Sequence, residues 1–576
     1  MHNLITNSLD NCVGCTRCVR VCPISEANIT TINDGKILIE TDNSKCITCG
    51  ACLPACHHGS RHFEDDTERF FADLNQGTPI SVFSAPAIKT NFAEWGRLFT
   101  WLRQLGVKLI YDVSLGADIC TWAHIRYIQK NNPGPLISIP CPAIVSYLLL
   151  HKNELVKYMS PIHSPMLCTA IFMQKYENVN TKIAALSPCI AKADEFKETQ
   201  QVHYNVTFKN LLKYIEDNHI KLPETSSSFD HYDAGLGALY PMPGGLRETI
   251  EHYIGKSLRI DKSEGIHKVY KDLDEYAKTS PHALPDLFDV LNCEEGCNIG
   301  TGSNNHGLDM FDINYMMSKT RQKAIQNDRW KYLDSLFETF DEKLLIGDFI
   351  RKFTAKPIKH LSATREQVEN VFIQLKKYDE AAKIIDCGAC GYDSCFEMAE
   401  RIAEGVAIPQ ICLKKAYEDS KEESESHMKF YEDFLNNMEN VKGINSKIVE
   451  YMEDVRKVIN SYNQMIDTVE SIAQDVNVIS INASIRASRA GTKGRAFSVV
   501  AEEIRKLAKT SADSAKRTRS ASSNADIVTS SVNDLVAKIN ENVNNTYENI
   551  SIISENTAQS MESLFSKDDL IDDELE

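Results

Sequence analysis

The spacing of apolar residues changes along the chain, and the last quarter has a spacing typical of a coiled coil. Between residues 434 and 476, twelve intervals between apolar positions cover 42 residues, which is a period of 3.5 residues. A second such arm runs from about residue 500 to 553, and Gly491 and Gly494 lie near the bend between the arms. The pattern predicts a long antiparallel coiled-coil hairpin.

Earlier in the chain, short apolar runs alternate with stretches that have helical periodicity. Four of these runs have the sequences PISVFSAP, VKLIYDV, PLISIP and TKIAALSP. Such alternation is typical of an α/β domain. In contrast, the 164 residues that follow Cys412 contain no cysteine, proline or tryptophan. We therefore expect the architecture to change near the start of this final segment.

Charge and composition exclude several classes of protein. The formal net charge of −17 argues against a nucleic-acid-binding protein, because such proteins usually carry a basic surface. No run of about 20 apolar residues predicts a membrane span, and the N-terminus lacks the features of a secretion signal. We expect a cytoplasmic protein without a membrane anchor. The 18 cysteines are then expected to be metal ligands rather than disulfides.

Two cysteine runs near the N-terminus have the spacing of bacterial ferredoxins. Each run has the pattern C-x2-C-x2-C-x3-C, which holds cubane 4Fe–4S clusters, and zinc is the alternative. In this fold the fourth cysteine of each run binds the other cluster. We therefore predict that Cys12, Cys15, Cys18 and Cys56 hold one cluster, and that Cys46, Cys49, Cys52 and Cys22 hold the second.

The middle of the chain contains three cysteine segments that follow apolar runs or end in a glycine-rich turn. They are SIPCPA around Cys141, LSPCIAKADE around Cys189, and LNCEEGCNIGTG with Cys293 and Cys297. Taken singly, each cysteine could be a core residue. As an ordered set beside a two-cluster module, the segments resemble the catalytic domain of iron-only (FeFe) hydrogenases. The active site of that family is the H-cluster, a 4Fe–4S cubane joined through one cysteine to a diiron unit that carries CO, cyanide and a dithiolate.

The resemblance implies specific roles for residues of this chain. The four middle cysteines become the H-cluster ligands, with Cys297 as the bridging one. Lys192 lies three residues after Cys189, as does the lysine that holds a cyanide in the family, and its alternative role is a surface lysine. Ala85 and Pro86 match the segment beside the diiron unit. Two further cysteines, Cys120 and Cys168, match no ligand position and are expected to be core residues.

The sequence departs from the family pattern at the positions that move protons. Pro140 stands where catalytic members have a proton-relaying cysteine, and the segment 117–127, where two relay glutamates are expected, has none. His124 and Tyr127 occupy approximate relay positions, and Ser160 matches the relay serine. Two methionines that flank the cluster in catalytic members are replaced, and the replacements are Ser187 and Leu291. We therefore expect slow catalysis.

A third cysteine group and the helical hairpin point to a signalling output. The group resembles a small 4Fe–4S domain, with a zinc site as the alternative, and its members are Cys387, Cys390, Cys395 and Cys412. The residues around the bend resemble the hairpin tip of methyl-accepting chemotaxis proteins, with a plain dimerisation coiled coil as the alternative. Two acidic tip positions of that family are Arg486 and Thr492 here, which argues against docking of a chemotaxis kinase.

These observations predict a multidomain chain of α+β and α/β modules. We predict a ferredoxin-like two-cluster module at 1–75, an α/β H-cluster domain at 76–350 and a third 4Fe–4S domain at 351–420. A chemotaxis-receptor-like coiled-coil hairpin follows at 421–576 and ends in an acidic tail that we expect to be disordered. The predicted cofactors are three 4Fe–4S clusters and an H-cluster.

The predicted function is that of a sensory FeFe hydrogenase with low turnover. It would bind hydrogen, release protons and electrons, and convey its redox state to a homodimeric hairpin and an unknown downstream signalling protein. One alternative is an ordinary hydrogenase that exchanges electrons with a ferredoxin-like partner and uses a different proton path. A second alternative is an iron–sulfur scaffold or assembly protein that lacks the diiron unit.

Overall fold

A computed structural model describes residues 4–231, 235–304, 308–326 and 329–565. The acidic tail at 566–576 lies outside these ranges, and so does the expectation that it is disordered. The chain divides into two compact units, with the boundary between Ala416 and Tyr417. Within the described residues, no helix combines enough length with enough apolar character to cross a membrane.

The N-terminal module consists of two small antiparallel sheets and short helical turns at the cysteine runs. Its strands are β1 (Ile5–Asn7), β2 (Asn28–Asn33), β3 (Lys36–Thr41) and β4 (Arg61–Phe63), and its helices are α1 (Arg17–Arg20) and α2 (Cys52–Ala55). Strand β1 pairs with β4, and β2 pairs with β3. The sheets leave the cysteine runs in loops and single helical turns, which is where backbone N–H groups can face thiolate ligands.

The next domain contains two parallel sheets, as its alternating pattern predicts. Its strands are β5 (Ile80–Ser84), β6 (Ile110–Asp112), β7 (Leu136–Ile137), β8 (Lys182–Ser187), β9 (Tyr204–Thr207), β10 (Ile260–Glu264) and β11 (Leu287–Leu291). One sheet has the order β6-β5-β8-β9 and the other has the order β10-β11-β7. Strands β5 and β11 are buried along their whole length, as expected for parallel sheets covered on both faces.

Helices cover these sheets and complete the core of the domain. They are α3 (Thr67–Asn75), α4 (Ile88–Asn91), α5 (Trp95–Gln104), α6 (Val113–Asn131), α7 (Pro142–Leu150), α8 (Pro165–Lys175), α9 (Lys192–Thr199), α10 (Phe208–Asp217), α11 (Gly245–Ile254), α12 (Val269–Lys278), α13 (Met310–Gln326) and α14 (Arg329–Lys343). Helix α6 is buried along its first thirteen residues, from Val113 to Ile125. It therefore lies through the core rather than on the surface.

Three short helices form the region around the third cysteine group. They are α15 (Arg365–Gln374), α16 (Glu380–Lys383) and α17 (Cys395–Ala403). Thr364 and Gln367 form a capping box at the start of α15, and the Ser394 hydroxyl caps α17 by accepting the N–H of Glu397. Helix α17 thus begins at Cys395, and the cap fixes the backbone at this cysteine.

The second unit is the predicted helical hairpin. Helix α18 (Leu413–Arg489) and helix α19 (Arg495–Phe565) are joined by a short 3-10 turn at Gly491–Gly494, where the sequence predicts the bend. Gly491 adopts a left-handed φ of +59°, which a residue with a side chain rarely adopts. Helix α18 begins at Leu413, directly after Cys412, rather than near residue 421. The reason is that no proline or glycine interrupts the chain before Gly443.

The apolar positions of the hairpin divide into two faces. Between residues 459 and 487 every seventh residue of α18 is buried, namely Ile459, Ile466, Ala473, Ser480 and Ala487. The remaining apolar positions stay exposed in the single chain, and they include Val455, Val458, Tyr462, Met465, Val469 and Ile472. Asn445 Nδ2 donates a hydrogen bond to Asn540 Oδ1 (2.7 Å), which pairs two polar side chains across the helices. The predicted apolar stripe of the coiled coil is therefore only partly buried within one chain.

Candidate metal centres

Four cysteines lie around one apolar cavity, where parallel strands of the two sheets end. Cys141 is the N-cap of α7, Cys189 follows β8, and Cys293 and Cys297 lie in the turn after β11. The carboxyl ends of parallel strands are a common position for ligand sites in α/β proteins. The tertiary structure thus brings together four cysteines from three distant segments.

The electrostatics of these thiols indicate how close they lie to one another. Burial raises the pKa of Cys189 and of Cys297 to about 12, and the charges of neighbouring cysteines add to the rise. Burial also raises the pKa of Cys293 far above its usual range, with further contributions from the other three cysteines. Such a group of buried thiols ionises readily only when a metal neutralises it. The donor set therefore fits a metal cofactor held by thiolates.

Lys192 forms part of the cavity wall and is held there by a buried carboxylate. Its Nζ atom donates hydrogen bonds to Glu195 Oε2 (2.6 Å), Ser164 Oγ (3.0 Å) and the Pro140 carbonyl oxygen (3.2 Å). The side chains of Lys192 and Glu195 are only 7% and 4% exposed, which excludes the alternative of a surface lysine. Glu195 was not among the predicted site residues, although it lies one helical turn after Lys192 in the sequence.

The other predicted pocket residues divide into two groups. Ala85, Pro86, Pro140 and Leu291 line the cavity together with the cysteines. Ser187 does not line it, because its hydroxyl lies behind the site, 2.7 Å from Asn205 Oδ1 and 3.1 Å from the Cys189 carbonyl oxygen. The serine therefore braces the turn that carries a predicted ligand.

Two of the three predicted relay residues form a buried pair. His124 Nε2 lies 2.9 Å from Ser160 Oγ, and both residues are at most 2% exposed. Tyr127 lies further along α6 at the edge of the apolar core and makes no hydrogen bond to either of them. Neither His124 nor Ser160 lines the cavity. The structure therefore leaves Tyr127 outside this cluster.

Cys120 and Cys168 are buried, as predicted, but their surroundings are polar. Cys120 Sγ lies 3.6 Å from His124 Nδ1, and both thiols lie 3.4 Å from the His163 carbonyl oxygen. Burial opposes ionisation of Cys120, but the hydrogen bond from Cys168 and the charge of His124 outweigh it and lower the pKa of Cys120. The spacing of four residues between Cys120 and His124 on one helix was the signal for this contact.

Two buried aspartates near the cavity also escaped sequence reasoning. Asp118 accepts hydrogen bonds from the backbone N–H groups of Gly235 (2.9 Å) and Gly237 (2.7 Å), and burial raises its pKa to about 7. Asp289 lines the cavity, and burial raises its pKa to about 6. Asp118 therefore anchors a loop, whereas Asp289 is an ionisable group at the site.

In the N-terminal module, Cys22 lies with the cysteines of the second run. Burial raises the pKa of Cys22 to about 12, and the charges of Cys46 and Cys52 add to this rise. Burial likewise raises the pKa of Cys49, with a contribution from Cys22. The chain therefore brings the last cysteine of the first run to the other three, which is the arrangement that cross-ligation requires.

Arg61 is a buried cation beside both N-terminal cysteine groups. Its guanidinium donates to Asn28 Oδ1 (2.9 Å) and lies 3.4 Å from Cys18 Sγ. Burial disfavours its charge, but the nearby Cys18 and Cys52 thiolates outweigh that effect and raise the pKa of Arg61. Nothing in the local sequence pattern predicts this contact, because Arg61 lies on β4, outside both cysteine runs.

The third cysteine group packs directly against the first N-terminal group. Burial raises the pKa of Cys390 to about 11, and the charges of the other three cysteines of its group contribute. Thr16 Oγ1 donates to the Ala389 carbonyl oxygen (3.2 Å), and the Arg20 guanidinium donates to the Gly388 carbonyl oxygen (2.7 Å). The loops that carry the two cysteine groups are therefore in contact.

A comparable contact joins the second N-terminal group to the cavity. Asn292 lies next to the cavity cysteine Cys293, and its amide donates to the Cys49 carbonyl oxygen (3.5 Å). The Tyr270 hydroxyl fixes this amide by donating to Asn292 Oδ1 (2.6 Å). Thr48 Oγ1 also donates to Asp194 Oδ2 (3.2 Å) on α9. The cysteine groups therefore form a continuous series through the first unit.

A single zinc ion requires a tight group of ligands. Four thiolates around one zinc ion each lie about 2.3 Å from it, and they must therefore be closely grouped. Across residues 4–231, 235–304, 308–326 and 329–565, no three His, Cys, Asp or Glu side chains are grouped closely enough to hold a single metal ion.

Comparison with protein families assigns these regions. Residues 78–301 match the iron only hydrogenase large subunit, C-terminal domain, and residues 417–576 match the methyl-accepting chemotaxis protein signalling domain. A hydrogenase-type domain is joined to a chemotaxis-type signalling domain. Residues 4–57 match a 4Fe-4S dicluster domain, and residues 385–413 match an Fe-S cluster domain. These matches confirm both predicted resemblances and support iron–sulfur cofactors.

Individual relatives cover only parts of the hydrogenase-type and signalling regions. A stretch of 288 residues is 24% identical to Iron hydrogenase 1 of Clostridium pasteurianum and covers 37% of this chain and 50% of that protein. A stretch of 76 residues is 47% identical to methyl-accepting chemotaxis protein TlpB of Bacillus subtilis and covers 13% of this chain and 10% of that protein. The chain therefore spans half of the first relative and a tenth of the second.

Solved structures give a weaker likeness. An FeFe-hydrogenase studied for oxygen inactivation of its H-cluster covers 51% of this chain at a TM-score of 0.39 and 16% identity, and all of that chain is aligned. A variant of FeFe-hydrogenase HydA1 from Chlamydomonas reinhardtii aligns over the same shares at a TM-score of 0.38 and 16% identity. At these scores the likeness adds no argument to the family matches.

Proposed function

We propose that this chain is a sensory FeFe hydrogenase that binds hydrogen and converts it slowly to two protons and two electrons. The observation that carries the proposal is the cavity in which four cysteines and Lys192 meet, with proline in place of a proton donor at position 140. The same chain continues into a signalling domain, which suits a protein that reports hydrogen rather than consuming it in quantity.

In this proposal the cavity residues hold an H-cluster. Cys141, Cys189, Cys293 and Cys297 would be its thiolate ligands. When bound, this group supplies heterolytic cleavage of hydrogen and accepts the electrons. The Lys192 ammonium, neutralised by Glu195, is positioned to donate a hydrogen bond to an anionic ligand inside the apolar cavity.

Proton transfer is the step that we propose to be slow. Pro140 has no ionisable side chain, and His124 and Ser160 are hydrogen-bonded to each other away from the cavity wall. Asp289 is the ionisable carboxyl group that lines the cavity. Efficient proton transfer needs groups of suitable pKa at hydrogen-bond distance. A cavity with no proton donor at position 140 favours occupancy by hydrogen over rapid turnover.

Three further clusters in the N-terminal and third cysteine groups complete the proposed cofactor set, which amounts to about 18 iron atoms per chain. The contacts of Asn292 with Cys49, and of Thr16 and Arg20 with the loop at 388–389, support an electron path between these groups. The path ends at Cys412, directly before the long helix α18. Redox state is thereby conveyed to the start of the signalling helix.

A second candidate is an ordinary hydrogenase that is linked to a ferredoxin-like carrier. The observation in its favour is the exposure of Cys15, which would let an external carrier approach the first cluster. The two candidates differ in turnover rate, since an enzyme that feeds a carrier needs a rapid proton path. An iron–sulfur scaffold without the diiron unit would differ from both in its infrared spectrum.

Infrared spectroscopy tests the proposed H-cluster. Matured protein is expected to show bands of metal-bound CO and cyanide that shift between argon and hydrogen. Cys189→Ala should lose these bands because it removes a cubane ligand, whereas Cys168→Ala, which changes a buried cysteine outside the cavity, should keep them. If fully matured wild-type protein shows no such bands, the scaffold alternative is correct.

Dimerisation through the exposed face of the hairpin is a second prediction. Met465→Glu combined with Ile472→Glu places charges within the exposed apolar stripe and should convert a dimer to a monomer. Gln474→Glu lies on the opposite face of α18 and should leave the dimer intact. Light scattering on the full-length chain gives the mass. A dimer that persists in the double variant would show that this stripe is not the interface.

A further inference from the structure

Lys377 is a buried lysine of the third cysteine domain that is fixed in place by its backbone. It follows Lys376, which adopts a left-handed φ of +58° and turns the chain after α15. The backbone N–H of Lys377 then donates to the Phe372 carbonyl oxygen (2.9 Å). Because of this turn the side chain enters the domain core, and the residue is only 2% exposed.

The ammonium of Lys377 contacts a sulfur of the third cysteine group. Its Nζ atom lies 3.0 Å from Cys395 Sγ and donates to the Ala382 carbonyl oxygen (2.8 Å). No ion pair in the described part of the chain includes Lys377. Asp386 accepts the backbone N–H of Cys395 (2.6 Å), so this carboxylate bonds to the main chain of the cysteine.

Lys383 of the same domain shows the contrast. Its ammonium forms ion pairs with Glu369 (2.8 Å) and Glu380 (3.0 Å), which neutralise it. A buried ammonium without such a carboxylate is unfavourable unless another anion compensates its charge. For Lys377 the available anion is the thiolate of Cys395 and whatever that thiolate binds. The contact is therefore explained by a negatively charged centre held by the cysteine group.

We propose that Lys377 raises the reduction potential of the iron–sulfur cluster held by Cys387, Cys390, Cys395 and Cys412. One-electron reduction adds one negative charge to the cluster and its thiolates, without a change in covalent bonds. A fixed positive charge next to one of the ligand sulfurs stabilises this reduced form more than the oxidised form. Cluster potentials depend on the net charge and on hydrogen bonds to the sulfurs. This inference rests on the proposed function for the source of the electron, which is hydrogen.

For signalling, the consequence is that the third cluster holds the electron in the reduced protein. The cluster beside Lys377 becomes a better acceptor for electrons that arrive through the first N-terminal group, whose loop contacts it. One of its ligands, Cys412, immediately precedes α18. A raised potential thus keeps the reduced state at the start of the signalling helix.

Redox titration with electron paramagnetic resonance detection tests the inference on the full-length protein. Mediators and dithionite set the potential, so the measurement needs no hydrogen activity. The signal that is absent in a Cys387→Ser, Cys390→Ser protein identifies the third cluster. Lys377→Gln should shift the equilibrium of this signal at least tenfold toward the oxidised form, which is about 59 mV for one electron. The other signals should keep their potentials.

Lys383→Gln is the matched control, because it removes a lysine charge from the same domain without a sulfur contact. It should leave the potential of the third cluster unchanged, and Lys377→Arg should stay close to wild type. An unchanged potential in Lys377→Gln, or an equal shift in Lys383→Gln, would overturn the inference.

The iron content shows whether the Lys377→Gln protein has lost the third cluster. The cluster requires the positive charge if Lys377→Arg retains its iron while both Lys377→Gln and Lys377→Met lose it. Equal loss in all three variants would indicate a packing role and overturn the proposal. Saturation of the group by zinc would also overturn it, while infrared bands at the cavity would still support the proposed hydrogenase function.

Discussion

Pro140→Cys is expected to raise the rate of hydrogen evolution on the order of 10²-fold, because a positioned proton donor contributes about 10² to 10⁴ in rate. Residue 140 immediately precedes Cys141 and lines the cavity, so a thiol there would face the proposed active site. The substitution removes no backbone hydrogen bond, since proline has no N–H, and the carbonyl that accepts from Lys192 is retained. Hydrogen evolution from a chemical reductant measures the rate.

Pro140→Ala separates the thiol from the loss of the proline ring. This control should stay near the low rate of the wild type, because it supplies no proton. Equal acceleration by Ala and Cys would show that loop flexibility, rather than proton supply, limits the reaction. A wild-type rate as high as that of a fast hydrogenase would contradict the sensory proposal and favour the ferredoxin-linked enzyme.

Glu195→Gln is expected to lower the free energy of unfolding by about 3–5 kcal/mol, because it leaves the buried Lys192 ammonium without its carboxylate. The two side chains lie 2.6 Å apart and are only 7% and 4% exposed, so water could not solvate the unpaired ammonium. Arg351 also approaches the Glu195 carboxylate (3.8 Å) and would lose a partner. Denaturant unfolding of the metal-free chain, followed by tryptophan fluorescence, measures the change.

Glu198→Gln provides a control one turn further along α9. The Glu198 carboxylate pairs with Arg351 (3.5 Å) and Lys356 (3.2 Å), but its side chain is 43% exposed. Exposed ion pairs contribute about 0–1 kcal/mol, so this variant should unfold close to the wild type. Equal losses in the two variants would mean that burial of the Lys192 pair has no special role in stability.

Much of the architecture follows from local patterns that can be seen in the sequence. A repeat of 3.5 residues specifies paired helices, and glycines near the centre of the repeat specify the bend, which the structure has at Gly491–Gly494. The apolar runs of the α/β domain specify buried parallel strands, and β5 and β8 lie within two of them. These features depend on residues within one or two turns of each other, so the order of residues is sufficient to predict them.

The division of the helical seam was not visible in the sequence. Its repeat predicts one apolar stripe, but in α18 Ile459 and Ile466 face the hairpin, while Tyr462 and Val469 are exposed. The repeat shows the spacing of the apolar residues, but it does not show which helix buries each of them. The exposed half therefore became visible only when the partner helix of the same chain was in place.

The residue types at the metal centres could be predicted from the sequence, because cysteine spacing within a loop is a local property. The tertiary structure alone decided what surrounds them. His124 meets Ser160 across 36 positions, Arg61 reaches Cys18 across 43, and Thr16 bonds Ala389 across 373. Lys377 reaches Cys395 in the same way. Such contacts arise from the packing of elements that are distant along the chain, and electrostatic effects on a metal centre depend on distance in space rather than on position in sequence.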